Sequence, residues 1–243
     1  FVCSGRCYNR VEAAKTRRRK DVGDVCIVAV SKTKPKSIII EAYNCGHRHF
    51  GENYVNELAE KASDSEILEL CPDIKWHFIG HLQSNKVNKL LGVPNLYMLQ
   101  TIDSKKLADA VDKAWAKKQN VDSLKIMIQV NTSGEESKSG ISPDKLYELT
   151  QHVIGNCHNL SLVGFMTIGY AQYDLTLAPN PEFLALANYK EIACQKFNLD
   201  ANTFGLSMGM SHDFEHAIEN GSTFVRIGSS IFGSRAVKTQ EVM

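Results

Sequence analysis

Short apolar, β-prone runs recur eight times along the chain, and segments with helical spacing separate them. This alternation constrains the fold more than any other feature. The runs are 25–30 (VCIVAV), 48–51 (RHFG), 75–80 (KWHFIG), 96–102 (LYMLQTI), 124–131 (LKIMIQVN), 160–168 (LSLVGFMTI), 203–209 (TFGLSMG) and 223–233 (TFVRIGSSIFG). Nearly continuous apolar strands joined by helices imply a parallel sheet covered on both faces. Eight such units in 243 residues fit an α/β chain closed into a (β/α)₈ TIM barrel, with 1–243 as one domain. An open doubly wound sheet is the alternative. Helices are expected over 36–45 after Pro35, over 104–118, from Ser142-Pro143-Asp144, over 181–197, and over 212–220 up to Gly221.

A net charge of +1 gives no global field to attract nucleic acid or a membrane. No apolar run approaches the length of a membrane span. The seven cysteines are odd in number and form no C-x-x-C pair, which favours a reducing compartment. The cytoplasm is the expected location, with a mitochondrial pool as the alternative. Within the first 20 residues, Arg6, Arg10, Lys15, Arg17, Arg18, Arg19 and Lys20 stand against Glu12. That segment reads as a solvated helix ending in cations, which suits a helix dipole. An organelle-targeting segment is the other reading.

In a barrel of this kind the active site lies at the C-terminal ends of the strands. There the polar breaks in the apolar runs give Ser31-Lys32, Glu52-Asn53, His81, Asn131-Thr132, Met166-Thr167, Ser207 and Gly228-Ser229. Lys32 directly follows VCIVAV, so it should point into the barrel mouth. Partial desolvation there lowers a lysine pKa and frees the amine to attack a carbonyl. A solvated loop charge is the plainer alternative. The segment RIGS (226–229) closes the last strand, where phosphate sites commonly form. Gly228 would let backbone N–H groups approach an anion, with the Ser207 hydroxyl alongside.

Other chemistries fit less well. GLSMG (205–209) matches the nucleophile-elbow pattern, but only Asp213 and His216 follow closely, on the next helix, a poor triad arrangement. His212 and His216 have metal-ligand spacing without a third ligand in a suitable place, so no metal is expected.

AVSKTKP (29–35), FGENY (50–54), WHFIGHLQSNK (76–86), QVNTSGEESKSG (129–140), LSMGMSHD (206–213) and TFVRIGSSIFG (223–233) together resemble the pyridoxal phosphate homeostasis proteins of the YggS/PROSC type. The resemblance runs from about residue 25 to 235. It implies a fold-type III barrel, similar to the N-terminal domain of alanine racemase. It implies pyridoxal 5′-phosphate (PLP) held as an aldimine on Lys32, with Lys34 as a neighbour. Ser207, Gly228 and Ser229 would then hold the phosphate. Arg226 would face the pyridine nitrogen, and Asn53 and Met166 would line the ring pocket. The implied role is intracellular PLP (vitamin B6) homeostasis, by buffering the cofactor or delivering it to PLP-dependent apoenzymes.

A carrier is expected rather than an enzyme. A guanidinium offers no acceptor and stays protonated, so an arginine partner leaves the pyridine nitrogen unprotonated and the cofactor a weaker electron sink. Only ten residues follow Gly233, so no second domain is expected to supply an opposing acid. The rivals are a PLP-dependent racemase or lyase, a Schiff-base aldolase acting on a sugar phosphate, and a scaffold whose bound PLP is incidental.

Overall fold

The computed structural model describes residues 5–18, 23–118, 122–135, 138–169, 173–177 and 179–233. A strand falls on each apolar run, with β2 and β7 extending one residue beyond theirs: β1 (Cys26–Val30), β2 (His49–Glu52), β3 (Lys75–Phe78), β4 (Leu96–Ile102), β5 (Leu124–Gln129), β6 (Leu160–Met166), β7 (Gly205–Met210) and β8 (Phe224–Ile227). All neighbours pair in parallel, and β1 pairs with β8, so the sheet closes into a barrel. The closure register sets Val28 beside Arg226 and Ala29 beside Ile227. The open-sheet alternative is excluded.

Helices cover the outside. They are α1 (Gly5–Arg17), α2 (Lys36–Asn44), α3 (Val55–Ala62), α4 (Ser65–Leu70), α5 (Val87–Leu91), α6 (Lys105–Trp115), α7 (Leu146–Asn156), α8 (Pro181–Phe197), α9 (Phe214–Glu219) and α10 (Ser229–Phe232). Local chemistry sets several of their ends. At α6 the Ser104 hydroxyl accepts the Leu107 N–H at 3.3 Å, satisfying one of the unpaired donors of the first turn. At α8 the Asn180 side chain accepts the Glu182 N–H, Pro181 fills the first position, and Asn198 ends the helix at φ 51°. The stripe Leu107, Ala108, Val111 and Trp115 faces the sheet. The main core lies between sheet and helices, with Phe50, Trp76, Phe78, Phe165, Phe183 and Phe214 fully buried.

Two features differ from the sequence reading. The run 223–233 is not one strand. It breaks at Gly228, and α10 follows directly, because the Gly228 and Ser230 N–H groups and the Ser230 hydroxyl bond to Ser211 instead of continuing a ladder. The basic first helix is not simply solvated. It buries Cys7, Val11 and Ala14, and Arg10 and Arg17 bond Glu215 and Glu219 of α9 at 2.6 Å each. The rest of the 1–20 segment, at 1–4 and 19–20, and the tail from Ser234 lie outside the described residues. No helix among the described residues is long and apolar enough to cross a membrane.

Barrels of this class usually fill their interior with branched aliphatic side chains. Here the interior carries Met98, Met127 and Met166, packed together, and a polar set of His77, Gln100, Ser207 and Arg226, each at most 4% exposed. Buried polar groups persist when their hydrogen bonds are made, and these are made to one another.

Candidate functional site

A cavity of about 340 Å³ opens at the C-terminal ends of the strands. Lys32, Asn53, Ser211, His212, Arg226 and Ser229 supply polar groups to its wall, Gly228 supplies backbone, and Ile79, Ile168 and Met210 supply apolar surface. The size and mixed lining are those of a small-molecule site. A larger hollow, about 470 Å³, lies under α1 at the opposite end of the barrel. Of its cations, Lys15 pairs with Glu12 and Asp24, Arg48 with Asp73, and Lys75 lies over the Tyr97 ring. We place the chemistry at the first cavity, where strand ends converge.

Lys32 is set by the turn after β1. Ser31 is fully buried, donates its hydroxyl to Glu52 at 2.7 Å, and gives its carbonyl to Lys61 Nζ at 2.8 Å. Thr33 then takes φ 63°, which a β-branched residue rarely adopts. Its N–H is held by Glu57 Oε1 at 2.5 Å. Strain of this kind persists where the surroundings over-determine it, typically at functional sites. Lys34 points elsewhere and donates to the carbonyls of Phe232 and Gly233 at 2.9 and 3.3 Å.

Beneath the turn, Lys61 bonds Glu52 at 2.8 Å and Glu57 at 2.7 Å. Burial pushes the Glu52 carboxyl up, and Lys61 opposes that push. Asn53 enters the cavity because Gly80 lets its backbone pass. A Cβ on Gly80 would lie 1.9 Å from the Asn53 carbonyl oxygen, so no other residue fits there. Asn53 Oδ1 is buried without a hydrogen-bond partner among the described residues.

Arg226 comes from β8 and is 4% exposed. It donates to Ser207 Oγ and to the Thr167 carbonyl, both at 2.7 Å. Burial pushes its guanidinium down to about 10, with Asp213 opposing, so it remains a cation at neutral pH. No carboxylate is among the described residues lining the cavity. A buried cation with a lysine beside it and no acid at the wall favours an anionic ligand.

One wall of the cavity is built by the end of β7 and the turn that follows it. Gly209 sits at φ 93°, where a Cβ would lie 2.5 Å from that of Ala217. Met210 N–H bonds Asp213 at 2.6 Å, which fixes the turn. Ser211 Oγ then accepts N–H groups from Gly228 at 3.1 Å and Ser230 at 3.4 Å. Those two N–H groups are thereby satisfied, and the Ser211 hydroxyl keeps its own proton to donate at the cavity wall.

The structure therefore brings Lys32, Asn53, Arg226, Gly228 and Ser229 to one cavity, and it does not bring Met166 or Ser207 there. Ser207 is 0% exposed, three residues before the end of β7, with its hydroxyl between Gln100 and Arg226. The same burial removes the nucleophile-elbow reading of GLSMG. Met166 is 0% exposed and packs on Met98 and Met127. Gly228 has φ −110°, and a Cβ there would meet Val30 at an ordinary 3.5 Å, so close approach alone does not demand glycine.

Ser211 is the residue that sequence reading missed. The signal was available in the loop SMGMSHD, where it stands one residue past the true end of β7. Of the histidines, His212 lines the cavity and lies 3.2 Å from Asp213. Elsewhere, Asp109, His152 and Cys157 place potential ligand atoms within 4.8 Å. The His152–Asp109 separation of 2.6 Å is a hydrogen bond's.

No family model matches the chain. Among curated proteins, the human pyridoxal phosphate homeostasis protein is 55% identical over 236 residues, covering 96% of this chain and 86% of that protein. Among solved structures, PipY of Synechococcus elongatus with PLP bound superposes with a TM-score of 0.73 at 30% identity, covering 93% of this chain and 99% of PipY. Alanine racemase from Corynebacterium glutamicum matches at a TM-score of 0.60 and 15% identity over 96% of this chain and 63% of the racemase, a likeness of fold alone.

Proposed function

Because this chain belongs to the pyridoxal phosphate homeostasis proteins, we propose that its cavity binds PLP through Lys32 and that residues 1–243 act as one PLP-binding unit in vitamin B6 homeostasis. The observation that carries the reading is the convergence of Lys32, Arg226 and the Ser211–Gly228–Ser229 turn in one cavity whose described lining has no carboxylate. PLP supplies an aldehyde carbon that accepts a lysine amine, a pyridine nitrogen that accepts a hydrogen bond, and a phosphate.

The residues present fit those three parts. Lys32 takes the aldehyde end. Arg226, an obligate donor, suits the ring nitrogen. The Ser211 and Ser229 hydroxyls and the backbone at Gly228-Ser229 suit the phosphate, on a turn that Ser211 Oγ fixes by accepting the Gly228 and Ser230 N–H groups. Asn53 Oδ1, buried without a partner among the described residues, is an acceptor for a ligand donor.

The same cavity supports a carrier. Its described wall offers a cation to the ring nitrogen, and His212, 41% exposed, is the one imidazole there. Holding PLP without a well-placed acid–base pair suits buffering, or delivery to PLP-dependent apoenzymes. The direct test is visible absorbance of the purified chain, followed by borohydride reduction and peptide mass mapping. Phosphopyridoxyl on Lys32 is the expected result. A label on Lys34 or Lys36, or no label, overturns the reading.

A further inference from the structure

Arg226, Ser207, Gln100, His77 and His49 form one line of hydrogen bonds through the barrel, and its donors all point one way. Arg226 can only donate, and Nη1 donates to Ser207 Oγ at 2.7 Å. The Ser207 hydroxyl proton then goes to Gln100 Oε1 at 2.7 Å. That orients the Gln100 amide, so Nε2 donates to His77 Nδ1 at 2.9 Å. With Nδ1 accepting, His77 carries its proton on Nε2 and donates it to His49 Nδ1 at 2.8 Å. One obligate donor at the cavity thus sets every amide orientation and tautomer down to the far end of the barrel.

We propose, on the premise that the cavity binds PLP, that Ser207, Gln100 and His77 are positioning residues that lock Arg226 as the hydrogen-bond donor to the cofactor's ring nitrogen. The guanidinium is pinned on one side by Ser207 and on the other by the Thr167 carbonyl at 2.7 Å. Its remaining N–H groups have a fixed direction, since the fork is planar and rigid. A line of this kind also strengthens each of its bonds by mutual polarisation. None of the three residues lines the cavity, so their influence must pass through Arg226. The histidines can hold the line because both stay neutral. Burial, then His49, Lys75 and Lys125, pushes His77 well down, and burial with Lys75 and Lys125 pushes His49 down to about 4.

Two measurements test this. The first uses the unliganded chain with ¹⁵N-labelled histidine and reads tautomers by long-range ¹H–¹⁵N correlation. Nε2–H is expected at both His77 and His49. Nδ1–H at His77 overturns the line whatever the cavity binds. The second compares affinity for PLP with that for an analogue carrying CH in place of the ring nitrogen. Ser207→Ala should weaken PLP about 3- to 10-fold, the worth of one ordinary hydrogen bond, and leave the analogue unchanged.

Ser207→Thr, which restores a hydroxyl, should recover the wild-type value. Gln100→Met serves the same comparison if Ser207→Ala does not fold. Equal losses for both ligands, or no loss for PLP, overturn the positioning role. A wild-type chain that binds neither ligand refutes the PLP premise instead, and the tautomers then decide the line by themselves.

Discussion

The hydroxyl of Ser211 accepts the backbone N–H of Gly228 at 3.1 Å and so ties the turn after β7 to the end of β8. This contact stands beside the same cavity as Lys32. Ser211→Ala removes a hydroxyl donor from the cavity wall and loosens the turn that Ser211 Oγ ties to Gly228 and Ser230. PLP binding should weaken by about 1.5–3 kcal/mol, the worth of a bond to a charged group. Pyridoxal, which lacks the phosphate, should bind nearly as before. Equilibrium dialysis with the two ligands checks this, and equal losses would place the phosphate elsewhere.

The buried pair Glu52–Lys61 supports the Lys32 turn. Glu52 is 0% exposed, and its Oε2 is buried without a hydrogen-bond partner among the described residues. Lys61→Met would leave that carboxylate unpaired and should cost about 3–5 kcal/mol. Adding Glu52→Gln should recover most of the loss, because an uncharged amide is far cheaper to bury. Urea denaturation of the single and double variants gives the comparison. A double variant no more stable than the single one would show that the pair contributes packing rather than charge.

The fold was legible because apolar strands alternate with helices, and the period survives in every unit. The cavity was legible where a polar residue directly follows a strand, as with Lys32, Asn53 and Gly228-Ser229. It was misread at β7. The sequence reading ended that run at 209, which put Ser207 near the rim. The strand runs on to Met210, so Ser207 sits within it and Ser211 takes the rim. Side chains alternate in and out along a strand, so Ser207 within the strand turns to the barrel interior, and Ser211 past its end reaches the cavity. Met166 does close β6, yet it packs inward on Met98 and Met127. The interior line was illegible from the sequence, since Gln100, His77 and Ser207 come from three strands and only closure of the barrel joins them.

Acid should destabilise the chain through the two interior histidines. His49 is pushed down to about 4, and His77 well below its ordinary value, by burial first and then by neighbouring cations. An unfolded histidine takes its proton near pH 6.5, whereas these do not when folded. Their contribution is complete above about pH 6.5 and is lost as pH falls from there toward 4, where the folded His49 also protonates. The slope should reach about 1.4 kcal/mol per pH unit for each histidine. Denaturation midpoints at pH 7 and pH 5 measure it, and His49→Gln should flatten part of the slope. A pH-independent midpoint across that window would mean that both histidines titrate normally.

The carrier reading also predicts what bound amino acids will not do. An amine can reach the cofactor's aldehyde carbon without help from the protein, so reversible exchange of amino acid at that carbon is expected. Removing the Cα proton needs a base held within reach of it, and His212 is the one imidazole among the described residues lining the cavity. It is 41% exposed and 3.2 Å from buried Asp213, an arrangement that leaves it in solvent contact. Holo-protein incubated with single amino acids in deuterated water should show Cα exchange close to that of free PLP, and His212→Ala should leave the rate unchanged. Exchange at roughly 1 s⁻¹ or faster, within the ordinary range of enzyme turnover, together with its loss in His212→Ala, would make this chain a racemase-like catalyst. Slow exchange combined with transfer of PLP to an added apoenzyme would fit delivery. Slow exchange without transfer would leave buffering as the role.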